Sequence, residues 1–228
     1  MISGVLKIMM NKVVFDGQPI TIEDICLIAR QQALIELSQQ AGFVTGIDKG
    51  ALFIDTLLRE EGFVYGVTTG YGDSCTVSIP LDLAEELPKH LYTFHGCGLG
   101  NHFDAPATRA ILAVRLTTLA RGFSGVRYKL LQHLAALLQQ DILPLIPQEG
   151  SVGASGDLTP LSYVAAVLAG EREVLYQGER LATQAVFARL NIEPLILKPK
   201  EGLAIMNGTA AMTGIACLAY ERAEYLSR

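Results

Sequence analysis

Residues 150–161 have the sequence Gly-Ser-Val-Gly-Ala-Ser-Gly-Asp-Leu-Thr-Pro-Leu. Within this stretch, Ala154, Ser155 and Gly156 favour a reaction of the backbone with itself. If the amide nitrogen of Gly156 attacks the carbonyl carbon of Ala154, a five-membered ring closes, and the carbonyl oxygen leaves as water. Loss of the Ser155 hydroxyl as a second water leaves an exocyclic methylene. The product is a methylidene-imidazolone, an electrophile that no ordinary side chain supplies, so the stretch predicts chemistry that needs an electron sink.

The residues around this triplet support the same interpretation. Gly156 has no Cβ, so its nitrogen can approach a neighbouring carbonyl closely. Asp157 is followed by Pro160, which suits an early helical position, and a helix start favours negative charge, including charge that develops during ring closure. The alternative is a glycine-rich turn with Asp157 as an N-cap. That alternative is preferred for an isolated Ala-Ser-Gly, whereas the twelve-residue context favours the ring.

Composition limits the class of protein and its partners. Half of the 228 residues are hydrophobic and the formal net charge is −5, so we expect one domain over residues 1–228 and an apolar surface covered by another subunit or by further chain. The absence of a basic tract argues against nucleic acid. No signal peptide or bilayer-spanning run is evident. Scattered cysteines and histidines favour a cytoplasmic protein with reduced thiols and no metal site.

The pattern of apolar residues predicts a mainly α fold with small hairpins. Alternation around Asp16 and Gly17 predicts a hairpin over 13–20, and Thr21 with Asp24 predicts a capping box for a helix that runs to about Gln40. A second hairpin is predicted over 174–182. Further helices are predicted over 49–60, 81–97, 106–121, 125–140, 159–169, 183–190 and from 200 to the end, where no helix stop is evident.

Three other segments carry candidate functional residues. The loop 65–72, Tyr-Gly-Val-Thr-Thr-Gly-Tyr-Gly, offers Tyr65 as a phenolic acid or base, although its tyrosines could simply anchor the loop. Asn207, in an apolar helical segment, could orient a cofactor carbonyl or a substrate amine, or cap the last helix. The pair Phe94-His95 lies near a helix end, where His95 could contact a substrate ring or only partner the helix dipole.

With these motifs, the chain resembles the aromatic amino acid ammonia-lyase family, which contains histidine, phenylalanine and tyrosine ammonia-lyases and related aminomutases. The segment 150–158 matches the family's prosthetic-group motif, and 65–72 matches its tyrosine loop. The glycine-punctuated segment 121–127, whose arginines could pair with carboxylates at a subunit interface or face water, also matches, as do 201–204 and 207–209. The resemblance covers nearly the whole chain.

The resemblance implies a helical fold, a homotetramer and a specific chemistry. Ala154, Ser155 and Gly156 would form the methylidene-imidazolone without an external cofactor, and Asp157 would assist the cyclisation. The substrate amine would add to the methylene carbon, Tyr65 would remove the β-proton, and Asn207 would hold the prosthetic group and the substrate. The products would be ammonia and an α,β-unsaturated aryl acid.

The chain departs from the family in three ways. Thr68 replaces the asparagine that is usual in the tyrosine loop, and the selectivity pair Phe94-His95 is a hybrid of the family's patterns. Phe94 favours a benzenoid substrate, tyrosine or phenylalanine, over histidine. The chain is also much shorter than the family's members, so we expect an N-terminal part that ends before the long central helices. An aromatic aminomutase, or an inactive truncated homologue that acts as an interaction module, are the alternative functions.

Overall fold

The structure, a computed structural model, describes residues 11–60, 62, 64–153 and 156–228. Helices dominate these residues, which confirms the predicted mainly α fold. The strands are β1 (Asn11–Phe15), β2 (Ala33–Leu37), β3 (Leu99–His102), β4 (Leu143–Pro144), β5 (Pro147–Glu149), β6 (Glu173–Tyr176) and β7 (Glu179–Ala182). The α-helices are α1 (Ile22–Ala29), α2 (Ala41–Glu60), α3 (Leu81–Ala84), α4 (Leu87–His95), α5 (Ala105–Ala120), α6 (Tyr128–Gln139), α7 (Leu158–Leu168), α8 (Thr183–Leu190), α9 (Glu201–Met206) and α10 (Ala210–Ser227).

The first strand belongs to a β-α-β unit, so the predicted hairpin over 13–20 is wrong. β1 pairs in parallel with β2, with Val13 opposite Ile35. Asp16 does form a turn, because its Oδ1 accepts a hydrogen bond from the N–H of Gln18 at 3.0 Å. The chain then enters α1 instead of returning as a strand. Alternation of apolar residues reveals a strand, but it does not reveal which strand is the partner.

The predicted capping box begins α1. Thr21 Oγ1 accepts a hydrogen bond from the N–H of Asp24 at 3.1 Å, and the Asp24 carboxylate accepts one from the N–H of Thr21 at 3.1 Å. The predicted helix end near Gln40 is wrong, because α1 ends at Ala29 and Gln31 has a φ of +57°. This left-handed residue cannot continue a right-handed helix, and the chain turns into β2.

Helix α5 lies at the centre of the hydrophobic core. Ile111, Leu112, Leu116 and Leu119 on this helix are fully buried, and α1, α6 and α10 pack around it. Helix α10 approaches most closely at Gly214, where an added Cβ would lie 2.8 Å from the backbone nitrogen of Ile111. Helix α5 is therefore a rigid element from which side chains can be held in place.

The remaining strands form two small sheets. β6 and β7 form the predicted hairpin, with Val174 opposite Leu181, and the predicted short helix α8 follows. β4 extends this hairpin to three strands, and β3 pairs with β5. β3, β4 and β5 were not predicted, because runs of four, two and three residues are too short to show a period.

Two predicted helices are each divided. The segment 81–97 contains α3 and α4, with Pro88 in the first turn of α4, and the segment from Lys200 onward is broken at 207–209 between α9 and α10. Within the described ranges, Glu201–Ser227 is long and apolar enough to cross a membrane by length and composition, which the sequence analysis did not anticipate. Half of it is buried within the protein, as in a core helix.

Candidate active site

Gly156 lies directly against the break between α9 and α10. Its φ of +105° favours glycine, and an added Cβ would lie 2.7 Å from the backbone nitrogen of Gly208 and 3.3 Å from the Cα of Asn207. Ala154 and Ser155, the other members of the predicted ring, lie outside the described residues. The structure therefore brings one end of the predicted triplet against Asn207, although the two motifs are distant in sequence.

Asp157 is fully buried, and its polar groups join three segments. Its carboxylate accepts a hydrogen bond from the N–H of Met212 at 3.0 Å and another from the hydroxyl of Ser151. Its own N–H donates to the carbonyl of Gly208 at 2.6 Å. Asp157 occupies the N-cap position of α7, but its side chain makes no capping bond to that helix. The carboxylate instead caps the first turn of α10.

Arg115, on α5, reaches the same break from the core. It is only 2% exposed, and its Nη1 donates to the carbonyls of Ile205 and Asn207, each at 3.4 Å. Burial lowers the pKa of this guanidinium to about 10, while the charge of Asp157 acts in the opposite direction. The sequence analysis did not select Arg115. The sequence feature that could have identified it is a single charged residue within the otherwise apolar run 110–116.

Tyr65 and Asn207, both predicted catalytic residues, line one cavity of about 280 Å³. Tyr65 is 50% exposed, and its phenolic oxygen accepts a hydrogen bond from the N–H of Gly72 at 3.1 Å. The other residues that line the cavity are Phe123, Ser124, Lys200, Leu203 and Ala204. The cavity therefore combines a phenol, an amide and a cation with an apolar wall, which is a composition suited to an aromatic, polar-ended ligand.

The tyrosine loop is held in place by two of its residues. The Thr68 hydroxyl accepts a hydrogen bond from the N–H of Val64 at 2.8 Å. The Tyr71 ring lies so close to Gly66 that an added Cβ there would be 2.8 Å from it. Burial, with a smaller effect of Tyr65, raises the pKa of Tyr71 to about 12. Tyr71 therefore anchors the loop, while Tyr65 faces the cavity.

Lys200 is a second residue at the cavity that the sequence analysis did not select. Its φ of +80° is unusual for a residue with a side chain, and burial lowers the pKa of its ammonium group. Lysine between Pro199 and Glu201 has no distinctive sequence pattern. The strained backbone conformation is visible only in the structure.

Phe94 and His95 lie at the end of α4, apart from the residues that line the Tyr65 cavity. Phe94 is 79% exposed, and its ring contacts that of His95 edge to face, with centroids 5.2 Å apart. Burial lowers the pKa of His95, which favours the neutral imidazole. Neither residue of the predicted selectivity pair is among the described residues that line the cavity of Tyr65, and the role of the pair stays a prediction.

Arg127 and Glu201 form an ion pair beside the cavity wall. Arg127 Nε donates to Glu201 Oε1 at 2.9 Å and Arg127 Nη2 donates to Oε2 at 2.6 Å, and Glu201 is almost completely buried. Glu201 also accepts a hydrogen bond from the N–H of Lys198 at 2.8 Å. Arg127 therefore pairs with a carboxylate and does not simply face water. The carboxylate, that of Glu201, belongs to the same chain.

Comparisons with known proteins agree with the motifs. A sequence profile of proteins described as aromatic amino acid lyases matches residues 20–228. A histidine ammonia-lyase from Shouchella clausii is 41% identical over 215 residues, which cover 94% of this chain and 43% of that protein. The chain therefore spans less than half of this relative.

Two solved structures are similar over nearly the whole chain. A tyrosine aminomutase from Streptomyces globisporus has a TM-score of 0.87 and 39% identity, over 93% of this chain and 39% of that one. A histidine ammonia-lyase from Trypanosoma cruzi has a TM-score of 0.83 and 30% identity, over 93% of this chain and 40% of that one. The fold described above is thus found in proteins that are considerably longer.

Proposed function

The chain belongs to the aromatic amino acid lyase family, and we therefore propose that the protein that carries it eliminates ammonia from an aromatic L-amino acid. The predicted similarity of the fold to ammonia-lyases is confirmed by the solved structures. The observation that carries the proposal is the cavity shared by Tyr65 and Asn207, with Gly156 packed against Asn207.

The described residues fit a ring formed from Ala154, Ser155 and Gly156. Gly156 occupies a space with no room for a Cβ. The N–H of Asp157, in the peptide that follows Gly156, donates to the carbonyl of Gly208, and the buried carboxylate of Asp157 accepts from the N–H of Met212. The ring is proposed to supply the electrophilic carbon that withdraws electrons from the substrate amine. No external cofactor is needed for this, because the chain itself provides every atom of the ring.

The side chains of the cavity suit an elimination. Tyr65, which lines the cavity, would take the β-proton on its phenolic oxygen. As the Cα–N bond breaks, the electrons of the Cβ–H bond form the Cα=Cβ double bond, and ammonia and an α,β-unsaturated acid are released. Asn207 would orient the substrate amine, and Leu203 with Phe123 would contact the aromatic ring.

Two features point to different substrates. Phe94 favours a benzenoid ring, so we propose tyrosine or phenylalanine as the substrate. Histidine is the alternative, because similar proteins are named histidine ammonia-lyases. An aminomutase is the alternative reaction, since similar structures are a tyrosine and a phenylalanine aminomutase.

We also propose a homotetramer for the whole protein and a cytoplasmic location. Phe123, Val152 and Ile196 are each more than 80% exposed, and large exposed apolar side chains support burial by a further subunit or by further chain. The four cysteines are unpaired, which supports a reducing compartment. Light scattering of the whole protein tests the tetramer, and a dimer or monomer would contradict it.

Mass spectrometry and an activity assay test the proposed function. We expect the peptide that contains residues 154–156 to be lighter than its sequence by two waters. The protein should convert tyrosine, phenylalanine or histidine into the corresponding aryl acrylate. Tyr65→Phe should abolish turnover, while the peptide with residues 154–156 should still lose two waters. Tyr176→Phe, on the β6–β7 hairpin, is the matched control and should keep full activity.

The outcomes separate the alternatives. A β-amino acid as the main product would identify an aminomutase. An unmodified mass, with no turnover of any of the three amino acids, would contradict the proposal and support an inactive homologue that acts as an interaction module.

A further inference from the structure

Arg115 and Gly156 contact the same peptide, the one that joins Asn207 to Gly208. An added Cβ at Gly208 would lie 2.0 Å from Arg115 Nη1, so the guanidinium lies flush against that glycine. An added Cβ at Gly156 would lie 2.7 Å from the backbone nitrogen of the same Gly208. The side chain of Arg115 thus reaches from the core helix α5 to the peptide that supports Gly156.

Hydrogen bonds fix this peptide and the one that follows it. Arg115 Nη1 donates to the carbonyls of Ile205 and Asn207, which lie at the broken end of α9. The next carbonyl, that of Gly208, accepts from the N–H of Asp157 at 2.6 Å. Removal of the guanidinium would therefore take away these two bonds, whereas the bond to Asp157 would remain.

The burial of Arg115 is costly for the fold itself. Among the described residues, its Nε has no hydrogen-bond partner, and the charge that acts to raise its pKa is that of the carboxylate of Asp157. A buried cation with incomplete partners stabilises a fold less well than an apolar side chain of similar size. Its presence at this position therefore calls for a role other than stability.

We propose that Arg115 is a positioning residue for the cyclisation of Ala154, Ser155 and Gly156. It holds the Asn207–Gly208 peptide as a fixed surface, and this surface keeps the nitrogen of Gly156 where it can attack the carbonyl carbon of Ala154. The inference depends on the proposed function, because it presupposes that the ring forms.

The reaction that Arg115 supports is balanced without any added reagent. The bond between the nitrogen of Gly156 and the carbonyl carbon of Ala154 forms. The carbonyl oxygen leaves as water with the amide hydrogens of Ser155 and Gly156. The Ser155 hydroxyl leaves as a second water with the hydrogen on its own Cα. No oxidant, reductant or metal is consumed.

Arg109 provides a matched control on the same helix. It is also largely buried, but Nε and Nη2 donate to the carboxylate of Asp141 at 2.7 and 3.0 Å, and Nη1 donates to the carbonyl of Ala29. Arg109→Met therefore removes a buried guanidinium from α5 without touching the Asn207–Gly208 peptide. A loss of cyclisation caused only by a weakened fold would appear in both variants.

The experiment follows ring formation by mass. The full chain and its Arg115→Met, Arg115→Lys and Arg109→Met variants are synthesised in a cell-free reaction, sampled over time, and digested, and circular dichroism verifies that each is folded. We expect the loss of two waters from the peptide with residues 154–156 to be roughly tenfold slower in Arg115→Met, because small misplacements of reacting atoms have effects of at least this size. The rate of water loss in Arg115→Lys should be intermediate, and the rate in Arg109→Met should match that of the unchanged chain.

Several results would overturn the proposal. Ring formation at the unchanged rate in a folded Arg115→Met variant would do so, as would equal slowing in Arg109→Met. If Arg115→Met does not fold, an unchanged rate in Arg115→Lys is the overturning result, because lysine cannot reproduce the planar guanidinium. If the unchanged chain never loses two waters, the proposed function fails as well, whereas the other results leave it intact.

Discussion

The carboxylate of Asp157 accepts a hydrogen bond from the backbone N–H of Met212 at 3.0 Å, across 55 residues of sequence. A residue at the start of α7 therefore caps the start of α10. Because the same carboxylate also receives the Ser151 hydroxyl, one buried side chain connects the glycine-rich segment with the last helix.

Asp157→Ala should lower the free energy of unfolding by about 3 kcal/mol, because it removes two partly buried hydrogen bonds to one buried carboxylate, those from the N–H of Met212 and from the Ser151 hydroxyl. Asp104→Ala is the control. Asp104 is an ordinary N-cap whose carboxylate accepts from the N–H of Ala107 at 2.9 Å, and its loss should cost about 1 kcal/mol. Urea unfolding measures both, and equal losses would show that the connection to α10 contributes nothing extra.

Gly156→Ala should be far more damaging than Gly153→Ala, although both glycines have a positive φ. Among the residues that the structure describes, a Cβ at Gly153 meets no atom within 4 Å, whereas a Cβ at Gly156 meets the nitrogen of Gly208 at 2.7 Å. We expect a loss of roughly 1 kcal/mol for Gly153→Ala and at least about 3 kcal/mol for Gly156→Ala. Thermal unfolding of the two variants makes the comparison, and similar melting temperatures would contradict the close contact.

Arg127→Met should destabilise the chain by about 3 kcal/mol, because it leaves the carboxylate of Glu201 buried without its cation. Arg180→Met is the control, since Arg180 forms an exposed ion pair with Glu173, and its loss should cost less than about 1 kcal/mol. Denaturant titration of both variants tests this. If Arg127→Met lowers the free energy of unfolding no more than Arg180→Met does, the ion pair between Arg127 and Glu201 is not a structural anchor.

The stability of the fold should fall in alkaline solution, partly through Cys26. Burial, followed by the charges of Glu221 and Cys217, raises the pKa of this thiol from 9.0 to about 11. The folded protein therefore keeps a proton that the unfolded chain loses above pH 9. The stabilisation that follows from this difference in protonation is complete below pH 9 and is lost as the pH rises to about 11. The loss amounts to ~2 kcal/mol.

Unfolding free energies at several pH values between 8 and 11 measure this loss. Cys26→Ala should flatten the alkaline slope, because the residue that titrates differently in the two states is gone. Cys97→Ala removes an exposed thiol and should leave the slope unchanged. An identical slope in the Cys26→Ala variant would refute the assignment to this thiol.

Local patterns were sufficient to predict the elements whose signals lie within a few residues. The capping box of Thr21 and Asp24 and the hairpin β6–β7 are examples. The pairing of β1 with β2 could not be predicted, because Val13 and Ile35 are joined by a helix whose end depends on one left-handed residue, Gln31. Propensity does not specify where a strand finds its partner.

The candidate site was predictable to a similar extent. Tyr65 and Asn207 were selected from their motifs, and the structure places both at one cavity. Arg115 and Lys200 were missed, because their importance arises from burial and from backbone strain, neither of which has a local sequence pattern. The ring residues Ala154 and Ser155 stay predictions that mass measurement can test.

The hydrogen bond from Met212 to Asp157 also imposes an order of events on protein synthesis. The segment 150–157 leaves the ribosome before Asn207, Gly208 and Met212 have been made, so its native surroundings do not yet exist at that time. If the proposed ring forms only in these surroundings, a nascent chain that stops short of them would keep an ordinary peptide there. Interrupted translation products would then not acquire a reactive electrophile that could modify other proteins.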